Sequence, residues 1–549
     1  MNRPVKQPLR IGIIVSNSVI YQWQYSAIDS VLRSDSLSIC FIASAEEKSG
    51  QKQGKNHSVI RRLHEIIDRI ISHDKSGLLS AVSIRKITGK IPMIYFTPVI
   101  KQDFMELDSV SCDQISVLNP DIILNFSSLP LNINLAGVPR LGTCEFKAGY
   151  HDDGYDEVVK QCPATLSALL FRTNTPFLNS FAETWLGQTY AYLIHINKVR
   201  AWKRVALLLE RFLTGLSELG ETYLETRSRI AGGRSAEQLT RQSNISGRIS
   251  DWGNLLTHLR IIVLKLADKL FYTKSFQWFV LMSPVSDQFP SVAQDIGKRR
   301  MLPPSDRFWA DPFIISREGQ NYIFVEELPF KSNKGHIAVI ESDSTGSILQ
   351  TVTVLNKPYH LSYPFVFDHN GNYYMVPETG ENKTIEIYQC TDFPYKWDFV
   401  MNLMENLDAK DTTLFYHQNK WWLFTSVCQS GIDSDYSELF LFYSDNLLTA
   451  NWIPHPANPV ISDITSARCA GKIFVHNQQI YRPSQDCSQR YGRAYNLNII
   501  EKLTEQEYTE VKMLTIEPET IHPDFKGVHT FNRDQGYMVL DAYTFRRRF

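Results

Sequence analysis

The stretch from Ala467 to Arg493 is dense in side chains that can grip a ligand. These polar residues surround one short apolar run, residues 473–475. Guanidinium groups bind carboxylates and phosphates through paired hydrogen bonds, and carboxylates can act as general acids or bases. The pattern favours a ligand-facing loop, and a solvated loop with scattered arginines is the alternative. The polar members are Arg468, Arg482, Gln485, Asp486, Arg490, Tyr491 and Arg493.

An apolar strand, a turn and an aromatic strand recur five times in the second half of the chain. The aromatic anchors are separated by 52, 48, 59 and 56 residues, by subtraction of their numbers. Periods near 50 residues with short strands are typical of β-propeller blades. The repeat therefore predicts an all-β five-bladed propeller. The anchors are Tyr322, Tyr374, Trp422, Tyr481 and Tyr537.

Polar residues also recur at fixed distances from these anchors. Four residues after the anchors stand Glu326, Glu378, Ser426, Gln485 and Asp541. Eleven residues before the first three anchors stand Asp311, Tyr363 and Asp411. Because equivalent positions in radial blades surround one axis, these side chains are predicted to meet in a central funnel. The alternative is that each one caps the turn of its own blade.

The predicted funnel carries the groups that glycosyl chemistry requires. Such reactions use one carboxylic acid to protonate a leaving oxygen and a second group as base, nucleophile or charge stabiliser. His529 can shuttle protons near neutral pH. The candidate catalytic residues are Asp311, Glu326, Glu378, Asp486, Asp541 and His529, and the candidate substrate-binding residues are Trp309, Tyr363, Asp411, Arg468, Arg482, Gln485, Tyr491 and Arg493.

Two of these carboxylates receive distinct roles from their neighbours. Glu378 follows Pro377 in an apolar strand, which predicts a raised pKa and the role of the acid. Asp486 stands near Arg482, whose cation favours an ionised carboxylate and the role of base or orienting group. We expect Arg482 and Asp486 to share one pocket with Asp311 and Glu378.

The composition is that of an ordinary soluble globular protein of two or three domains. The chain has 549 residues, 43% of them hydrophobic, and a formal net charge of −1, which gives no electrostatic reason to expect a nucleic-acid partner. We expect no secretory leader and no membrane-spanning segment. The eight cysteines show no metal-ligand spacing and are expected to be reduced thiols in a cytoplasmic protein, with no metal site.

The first part of the chain predicts an α/β domain. Apolar strands at residues 9–15, 37–44 and 121–126 alternate with a helix at 23–33 and helical periodicity at 59–72. Ligands in parallel sheets bind beyond the carboxyl ends of the strands. No glycine-rich phosphate fingerprint follows the first strand, so a nucleotide site there has little support.

LNPDIILNF (118–126) and GVPRLGTCEFK (137–147) resemble the core of the formyltransferase family. The resemblance implies a Rossmann-type fold for residues 1–190. In that family an Asn-x-His pair and a later Asp form the site, and the matching positions here are Glu145, Lys147 and Asn174. A lysine is normally a cation and a poor general base, so the resemblance implies a degenerate formyl site. Formyl-tetrahydrofolate would be a cofactor only if this site were active, and no other cofactor is expected.

A helical connector is predicted between the two halves, at residues 191–274. Helical patterns at 189–220 and 255–271 flank a glycine-containing linker at 228–250. Residues 198–274 hold 14 Lys and Arg against 7 Asp and Glu, which allows peripheral contact with an anionic inner membrane. A helix that docks the two domains is the favoured interpretation.

The second half carries a longer resemblance. RFWADPF (307–313), HLSYPF (360–365), YRPSQDCSQRYGRA (481–494) and GVHTF (527–531) are similar to the N-terminal region of plant glucosamine inositolphosphorylceramide transferases. That region also occurs in bacterial proteins behind a formyltransferase-like domain. The resemblance covers residues 275–549 and implies a role in glycan or glycolipid assembly.

We therefore expect a sugar- or glycolipid-modifying transferase of cell-surface polysaccharide biosynthesis, acting at the propeller funnel. Its partner would be a sugar, a sugar phosphate or a glycolipid. One alternative is a non-catalytic module that binds a glycan or lipid. The other is a sugar N-formyltransferase, which the replacement of the Asn-x-His pair by Glu145 and Lys147 disfavours.

Overall fold

The structure of the chain is a computed structural model with two compact units, Met1–Trp185 with Thr189–Leu266, and Leu186–Gln188 with Ala267–Phe549. It describes residues 8–45, 76–230, 274–285, 299–428 and 436–547, with short gaps at 88, 90, 102–103, 128, 133–137, 151, 175–177, 179 and 191–192, and isolated positions within 61–69 and 253–263. Most of the linker predicted at 228–250 and most of the helix predicted at 255–271 lie outside the described residues, while residues 228–230 form the end of a helix. None of the described helices is both long enough and apolar enough to cross a bilayer.

The first unit is built on one seven-stranded sheet with helices packed against it. The strands are β1 Leu9–Val15, β2 Val19–Tyr21, β3 Leu37–Ala45, β4 Ala81–Ser83, β5 Met93–Phe96, β6 Val99–Lys101, β7 Phe104–Glu106, β8 Ile122–Asn125, β9 Leu131–Asn132, β10 Gly142–Ala148, β11 Ala164–Thr173 and β12 Phe181–Gln188. The helices are α1 Gln22–Leu32, α2 Ser109–Leu118, α3 Tyr155–Val159, α4 Ile194–Leu219 and α5 Glu221–Ile230, with 3₁₀ turns at Ile84–Lys86 and Asp152–Gly154.

The sheet order is β12-β11-β10-β8-β1-β3-β5, and the pairs from β10 to β5 are parallel. The central strands are apolar on both faces, as in Ile11, Ile13 and Ile14 of β1, because helices cover a parallel sheet on both sides. β11 runs antiparallel to β10, so the sheet is mixed. The predicted α/β character is confirmed, while the Rossmann-type, formyltransferase-like identity of this unit stays a prediction.

Helix α4 packs along β11 within the first unit. Ser167 donates a hydrogen bond to the carbonyl oxygen of Ala201 at 2.9 Å, and Arg204 donates to the Ser167 hydroxyl at 3.2 Å. Val205, Leu208 and Phe212 on the same helix are buried. Part of the segment predicted as a connector is thus a structural helix of the first unit. The outer domain bounds at 190 and 275 stay predictions.

The second unit consists of five antiparallel sheets of four strands each, which confirms the five-bladed propeller. The strands of blade 1 are β15 Arg307–Arg317, β16 Gln320–Pro329, β17 His336–Ser342 and β18 Ile348–Leu355; of blade 2, β19 Ser362–His369, β20 Asn372–Glu378, β21 Thr384–Asp392 and β22 Lys396–Glu405; of blade 3, β23 Ala409–His417, β24 Lys420–Val427, β25 Leu439–Ser444 and β26 Ile453–Pro454; and of blade 4, β27 Phe474–His476, β28 Gln479–Asp486, β29 Ala494–Leu503 and β30 Tyr508–Ile516.

Blade 5 joins strands from both ends of the propeller sequence. Its order is β14-β13-β32-β31, where β13 is Lys274–Pro284, β14 is Arg300–Met301, β31 is Phe531–Asp534 and β32 is Tyr537–Arg547. β13 and β32 pair over eleven residues, from Lys274 opposite Arg547 to Pro284 opposite Tyr537. A helical turn, α6 Pro518–Ile521, and a 3₁₀ turn at Gly380–Asn382 complete the described elements of this unit.

The turns between the first two strands of the blades follow one rule. In the first four blades two residues with left-handed φ connect the strands, such as Glu318 (52°) and Gly319 (80°) in blade 1, and Asn370 (54°) and Gly371 (76°) in blade 2. Two-residue turns of this hand match the right-handed twist of the flanking strands. The turns read from the sequence are therefore confirmed, and they fix the register of each blade.

Candidate functional site

A β-bulge at the same place in three blades positions the central residues. The pairing of the first two strands shifts between Ala310 and Phe313, between Ser362 and Phe365, and between Lys410 and Thr413. The first of the two residues inside each shift adopts a left-handed φ, at 51° for Asp311, 42° for Tyr363 and 51° for Asp411. Such a backbone costs a non-glycine residue about 1–3 kcal/mol and persists where its surroundings hold it.

Carboxylates from the preceding blade satisfy the amides that these bulges leave unpaired. The Asp311 amide donates to Asp541 at 2.9 Å, the Tyr363 amide to Asp311 at 3.3 Å and the Asp411 amide to Glu378 at 3.3 Å. The recurrent acids therefore cross from blade to blade around the axis. They neither cap their own turns nor stand free in solvent, and part of their role is structural.

At the junction of blades 5 and 1, Asp541, His529 and Asp311 form a buried chain. His529 Nδ1 lies 2.7 Å from the Asp541 carboxylate, and His529 Nε2 lies 3.7 Å from Asp311 Oδ1. The Thr530 hydroxyl donates to Asp311 at 2.7 Å, and the amides of His529 and Thr530 both donate to Asp541 at 3.0 Å. The indole of Trp278 stacks on His529 at 4.2 Å between ring centres. These contacts fix the imidazole between two carboxylates.

At the junction of blades 2, 3 and 4, Arg468 holds two carboxylates. Its Nε and Nη2 donate to Asp411 at 2.5 and 3.1 Å, and Nη2 lies 3.5 Å from Glu378. Gln485 donates to the same Asp411 carboxylate at 2.8 Å, and Lys410 Nζ lies 3.5 Å from Glu378. Arg468 is only 6% exposed, so this ion pair is shielded from solvent. Asp411, Arg468, Gln485 and Glu378 thus meet as predicted.

Among the described carboxylates of the cluster, Glu326 has the fewest hydrogen bonds and ion pairs. Its Oε1 lies 3.1 Å from His360 Nε2. The Gly335 amide donates to His360 Nδ1 at 3.1 Å, which leaves Nε2 to carry the proton that faces Glu326. Glycine is required at position 335 because there is no room for a side chain: a Cβ there would lie 2.9 Å from Glu326 Oε1 and 2.4 Å from the carbonyl oxygen of Leu361.

The buried acids divide into two classes by pKa. Burial raises the pKa of Asp311; the charge of Asp541 raises it further, and His529 partly offsets the rise. Burial also raises the pKa of Glu326; the charges of Asp311 and Glu378 add to this rise, and its partner His360 opposes it. Burial likewise raises the pKa of Asp411 well above its usual range against Arg468. Glu378 differs: against the cost of burial, Arg468 and Lys410 lower its pKa. The prediction that Glu378 has a raised pKa is therefore wrong, because the sequence did not show those two cations converging on it.

Trp309 and Tyr363 are buried, contrary to the prediction that they bind substrate. Trp309 is 3% exposed and donates through its indole to Glu327 at 2.8 Å. Tyr363 is fully buried, its hydroxyl lies 2.8 Å from that of Thr413, and it accepts from the Gly471 amide at 2.7 Å. Both rings serve the packing of the propeller core.

Tyr491 does lie at the mouth of the cluster. It is 40% exposed, and its ring meets His529 edge-on at 5.2 Å and the Arg468 guanidinium at 5.3 Å. Tyr436 lies beside it, with ring centres 5.2 Å apart, and faces Arg468 at 4.6 Å. Two tyrosines therefore flank the ion pair, and a sugar ring could stack on the exposed one.

Arg482, Asp486 and Arg493 lie in other networks. Arg482 is fully buried and binds Glu510 on the outermost strand of blade 4 at 2.7 and 2.6 Å. Asp486 accepts from Ser488 and pairs with Arg493 at 2.7 Å, and Arg493 continues to Glu517. Among the described residues no hydrogen bond or ion pair joins Asp486 or Arg482 to Asp311 or Glu378. The predicted common pocket therefore does not include them, because alternation along β28 turns both away from Gln485.

Several residues of the cluster were not predicted from the sequence. They are Lys410, His360, Thr530, Tyr436 and Trp278, which contact the predicted acids or rings directly. Two carried a usable signal: Lys410 stands beside Asp411, and Thr530 stands beside His529. Trp278 belongs to β13, outside the repeat, so its arrival beside His529 follows only from the closure of blade 5.

Asp311, His529 and Asp541 each offer a ligand atom within 4.8 Å of the others, a geometry that can hold a cation. Against the cost of burial, however, Asp541 and Asp311 raise the pKa of His529 to about 9. A protonated imidazole has no lone pair to offer a metal. The contacts of this trio therefore fit an internal ion pair better than a metal centre.

The charged state of His529 predicts a loss of stability with rising pH. A group with a raised folded pKa contributes stability that is complete below its unfolded pKa, near 6.5, and is lost as the pH rises through about 9. The free energy of unfolding should fall by roughly 3 kcal/mol across this window, and His529→Gln should flatten the fall. Urea unfolding at a series of pH values measures both curves. Parallel curves for the two proteins would refute the assignment.

In the first unit the positions matched to the formyltransferase site are occupied by structural contacts. Glu145 is 6% exposed, accepts from the Leu131 amide at 2.9 Å and pairs with Arg172 at 3.2 Å. Asn174 donates to the carbonyl oxygen of Pro139 at 3.1 Å. Because Glu145 lies opposite Leu170 in the sheet, Asn174 stands four residues, roughly 13 Å, further along. Glu145 and Asn174 are thus held apart.

Residues 293–543 match the family described as "Glucosamine inositolphosphorylceramide transferase 1, N-terminal". The transferase of that name from Oryza sativa subsp. japonica is 36% identical over 208 residues, which are 37% of this chain and 28% of the relative. The one from Arabidopsis thaliana is 30% identical over 228 residues, which are 41% of this chain and 29% of the relative. The chain spans less than a third of the length of these curated relatives. The resemblance seen in the propeller motifs is confirmed.

Solved structures with some likeness include glycoside hydrolases. Zg3597, a family 117 glycoside hydrolase from Zobellia galactanivorans, is 11% identical with a TM-score of 0.32, and the match covers 50% of this chain and 90% of that one. The α-L-arabinofuranosidase PaAbf62A from Podospora anserina is 10% identical with a TM-score of 0.34, covering 50% and 98%. Likeness at this level carries no argument about function.

Proposed function

We propose that the chain is a sugar- or glycolipid-modifying transferase whose active site is the carboxylate cluster at the propeller axis. The observation that carries the proposal is that Asp311, Glu326, Glu378 and Asp411, from three blades, are close enough for their charges to interact, and that the buried Arg468 binds two of them, Glu378 and Asp411. Three of these four carboxylates have raised pKa values. Buried carboxylates with divergent pKa values are the usual basis for acid and base roles in glycosyl chemistry. The similarity of residues 293–543 to glycolipid transferases supports the substrate class.

Glu326 is the acid of the proposed mechanism. Its raised pKa keeps a proton available, and its few scaffold contacts leave the carboxyl group able to reach a leaving oxygen. His360 orients it through Nε2. Glu378, held ionised by Arg468 and Lys410, supplies the negative charge that stabilises a cationic sugar transition state.

Asp311 is the proposed base. Its carboxylate is oriented by Thr530 and the Tyr363 amide, and His529 supports the ionised form. Tyr491 at the mouth offers an aromatic face for a sugar ring. Asp411 and Arg468 hold the blades in register around these groups.

The test compares Glu326→Gln with Glu318→Gln, a control at an exposed carboxylate of the same blade. Glycolipids and surface polysaccharide from cells that carry only the variant chain are measured by mass spectrometry, and the folding of each protein by thermal melting. Glu326→Gln should lower product by about 10²–10⁴-fold with the fold intact, as loss of a general acid does. A folded Glu326→Gln protein with unchanged product would overturn the acid assignment.

A binding module without catalysis is the second candidate function. The observation that favours it is the structural use of Asp311, Glu378 and Asp541, which bond the bulge amides and so are partly committed. Calorimetry of the purified chain with sugar phosphates and glycolipid headgroups separates the two. Tight binding without turnover, for both wild type and Glu326→Gln, would select the module. Formyl transfer is not proposed, since Glu145 is tied to Leu131 and Arg172.

A further inference from the structure

Three phenylalanines of the propeller present large exposed faces. Phe276 is 52% exposed, Phe545 42% and Phe330 40%. Single exposed apolar side chains are common on soluble proteins, whereas a connected set marks an interaction surface. We refer to Phe276, Phe330 and Phe545 as the phenylalanine rim.

The phenylalanine rim rests on one buried aromatic cluster. Phe276 and Phe545 lie opposite each other in β13 and β32, with ring centres 6.2 and 6.1 Å from that of Tyr543. Phe330 lies 6.3 Å from Phe308. Phe308 and Tyr543 belong to the same buried cluster, with Trp278, Ala310 and Leu328. The rim is therefore the outer surface of a continuous and rigid base.

Two members of the rim lie on the strands of blade 5 that also carry Asp541 of the carboxylate cluster and its partner Val280. Asp541 faces Val280 in the β13–β32 pair, and both strands run four residues further to Phe545 and Phe276. Four residues of extended strand cover roughly 13 Å. On the way, Trp278 stacks on His529 of the carboxylate cluster. The rim thus stands beside the mouth of the proposed site, on the side away from the β31–β32 turn.

Basic residues are neighbours of these phenylalanines along the chain. In the strand pairing, Lys274 is opposite Arg547, two residues beyond the Phe276–Phe545 pair, and Arg546 is next to Phe545 in the sequence. Lys331 follows Phe330 in the sequence and is exposed. Residues 274–277 and 544–547 contain no acid. Exposed phenylalanines with lysine and arginine next to them in the sequence suit the boundary between acyl chains and anionic headgroups.

We propose that the phenylalanine rim docks the propeller onto an anionic lipid bilayer, with its rings between the headgroups and the funnel mouth facing them. This inference does not depend on catalysis at the funnel. It also moves the membrane contact from the helices of the basic segment predicted at 198–274 to the strand β13, which begins at the last residue of that segment, Lys274. In that segment the apolar face of α4, with Val205, Leu208 and Phe212, is already buried within its own unit.

The test is sedimentation of the full chain with vesicles of phosphatidylcholine alone or mixed with phosphatidylglycerol. Wild type should bind the anionic vesicles, and added salt should weaken the binding because exposed charges are screened. Phe276→Ser with Phe545→Ser should weaken vesicle partition by about tenfold, since two interfacial rings are lost. The double variant Arg546→Gln with Arg547→Gln should lose most of the salt-sensitive part of the binding to anionic vesicles.

The control is Phe399→Ser, which removes a ring that is 52% exposed on blade 2, outside the rim. It should leave binding unchanged. If the double serine variant melts early, Phe330→Ser alone provides the independent measurement. The proposal is overturned if wild type binds vesicles with phosphatidylglycerol no better than vesicles of phosphatidylcholine alone. It is also overturned if Phe399→Ser weakens binding as much as the rim variants do, or if folded rim variants bind as tightly as wild type.

Discussion

Replacing Arg468 with methionine should lower the free energy of unfolding by about 3–5 kcal/mol near neutral pH, because it leaves buried carboxylates without their cation. Arg468 is 6% exposed and serves both Asp411 and Glu378. Urea unfolding followed by circular dichroism measures the loss.

The loss of unfolding free energy caused by Arg468→Met should become smaller as the pH is lowered. Without the guanidinium, the pKa of Asp411, already raised by burial, rises further, and the pKa of Glu378 loses the cation that contributes most to lowering it. The cost of burying both charges is relieved when the carboxylates are protonated. The gap to wild type should therefore be smaller at about pH 5 than at about pH 7. Arg317→Met is the control, at a side chain that is 44% exposed and pairs with Glu318. Equal losses for both variants, or a gap that widens in acid, would contradict the buried ion pair.

Gly471→Ala should lower the free energy of unfolding about as much as Arg468→Met does, by about 3 kcal/mol or more, because the position combines backbone strain with overpacking. Gly471 adopts φ +132°, and a Cβ there would lie 2.0 Å from the carbonyl oxygen of Phe531. Its amide also donates to the buried hydroxyl of Tyr363. Backbone atoms cannot turn aside as a flexible side chain does, so blades 4 and 5 would have to separate. A shift in the urea midpoint measures the cost.

Gly536→Ala is the matched control for this glycine. It lies in the β31–β32 turn, and a Cβ there meets nothing within 4 Å. An effect within about 0.5 kcal/mol is expected for an open surface position. A Gly471→Ala protein as stable as Gly536→Ala would show that the two blades approach each other less closely than the structure has them.

The fold of the second unit could be predicted because its information is local and repeated. Each blade carries its own turn and aromatic strand, so five independent copies agree on one architecture. The bulges could not be predicted from the sequence. A bulge inserts one residue and resets the alternation of side chains, so counting back from an anchor does not tell which face Trp309 occupies.

The site was predicted in part for the same reason. The repeat places Glu378 and Gln485 at equivalent positions, and both reach the cluster. In the same alignment of the repeats Asp486 corresponds to Glu327, and Glu327 is turned away from the cluster toward Arg307 and Trp309. The alignment of the repeats was thus right, and the inference that Asp486 lies in the shared pocket was wrong. Which cation meets which acid depends on contacts between blades, and a single sequence contains no direct record of them.

The sharing of blade 5 between distant strands has a consequence for the newborn chain. β13 is made first, and its partner β32 begins 253 residues after β13 ends, by subtraction of 284 from 537. Until then Val280, Leu281 and Met282, buried in the finished propeller, have only the two-residue strand β14 on one edge and no partner on the edge that β32 covers. An apolar strand edge left open this long invites pairing with other chains. We therefore expect this edge of β13 to stay exposed during synthesis of the ring, and a chain truncated before residue 537 lacks the strand that pairs with β13 to close it.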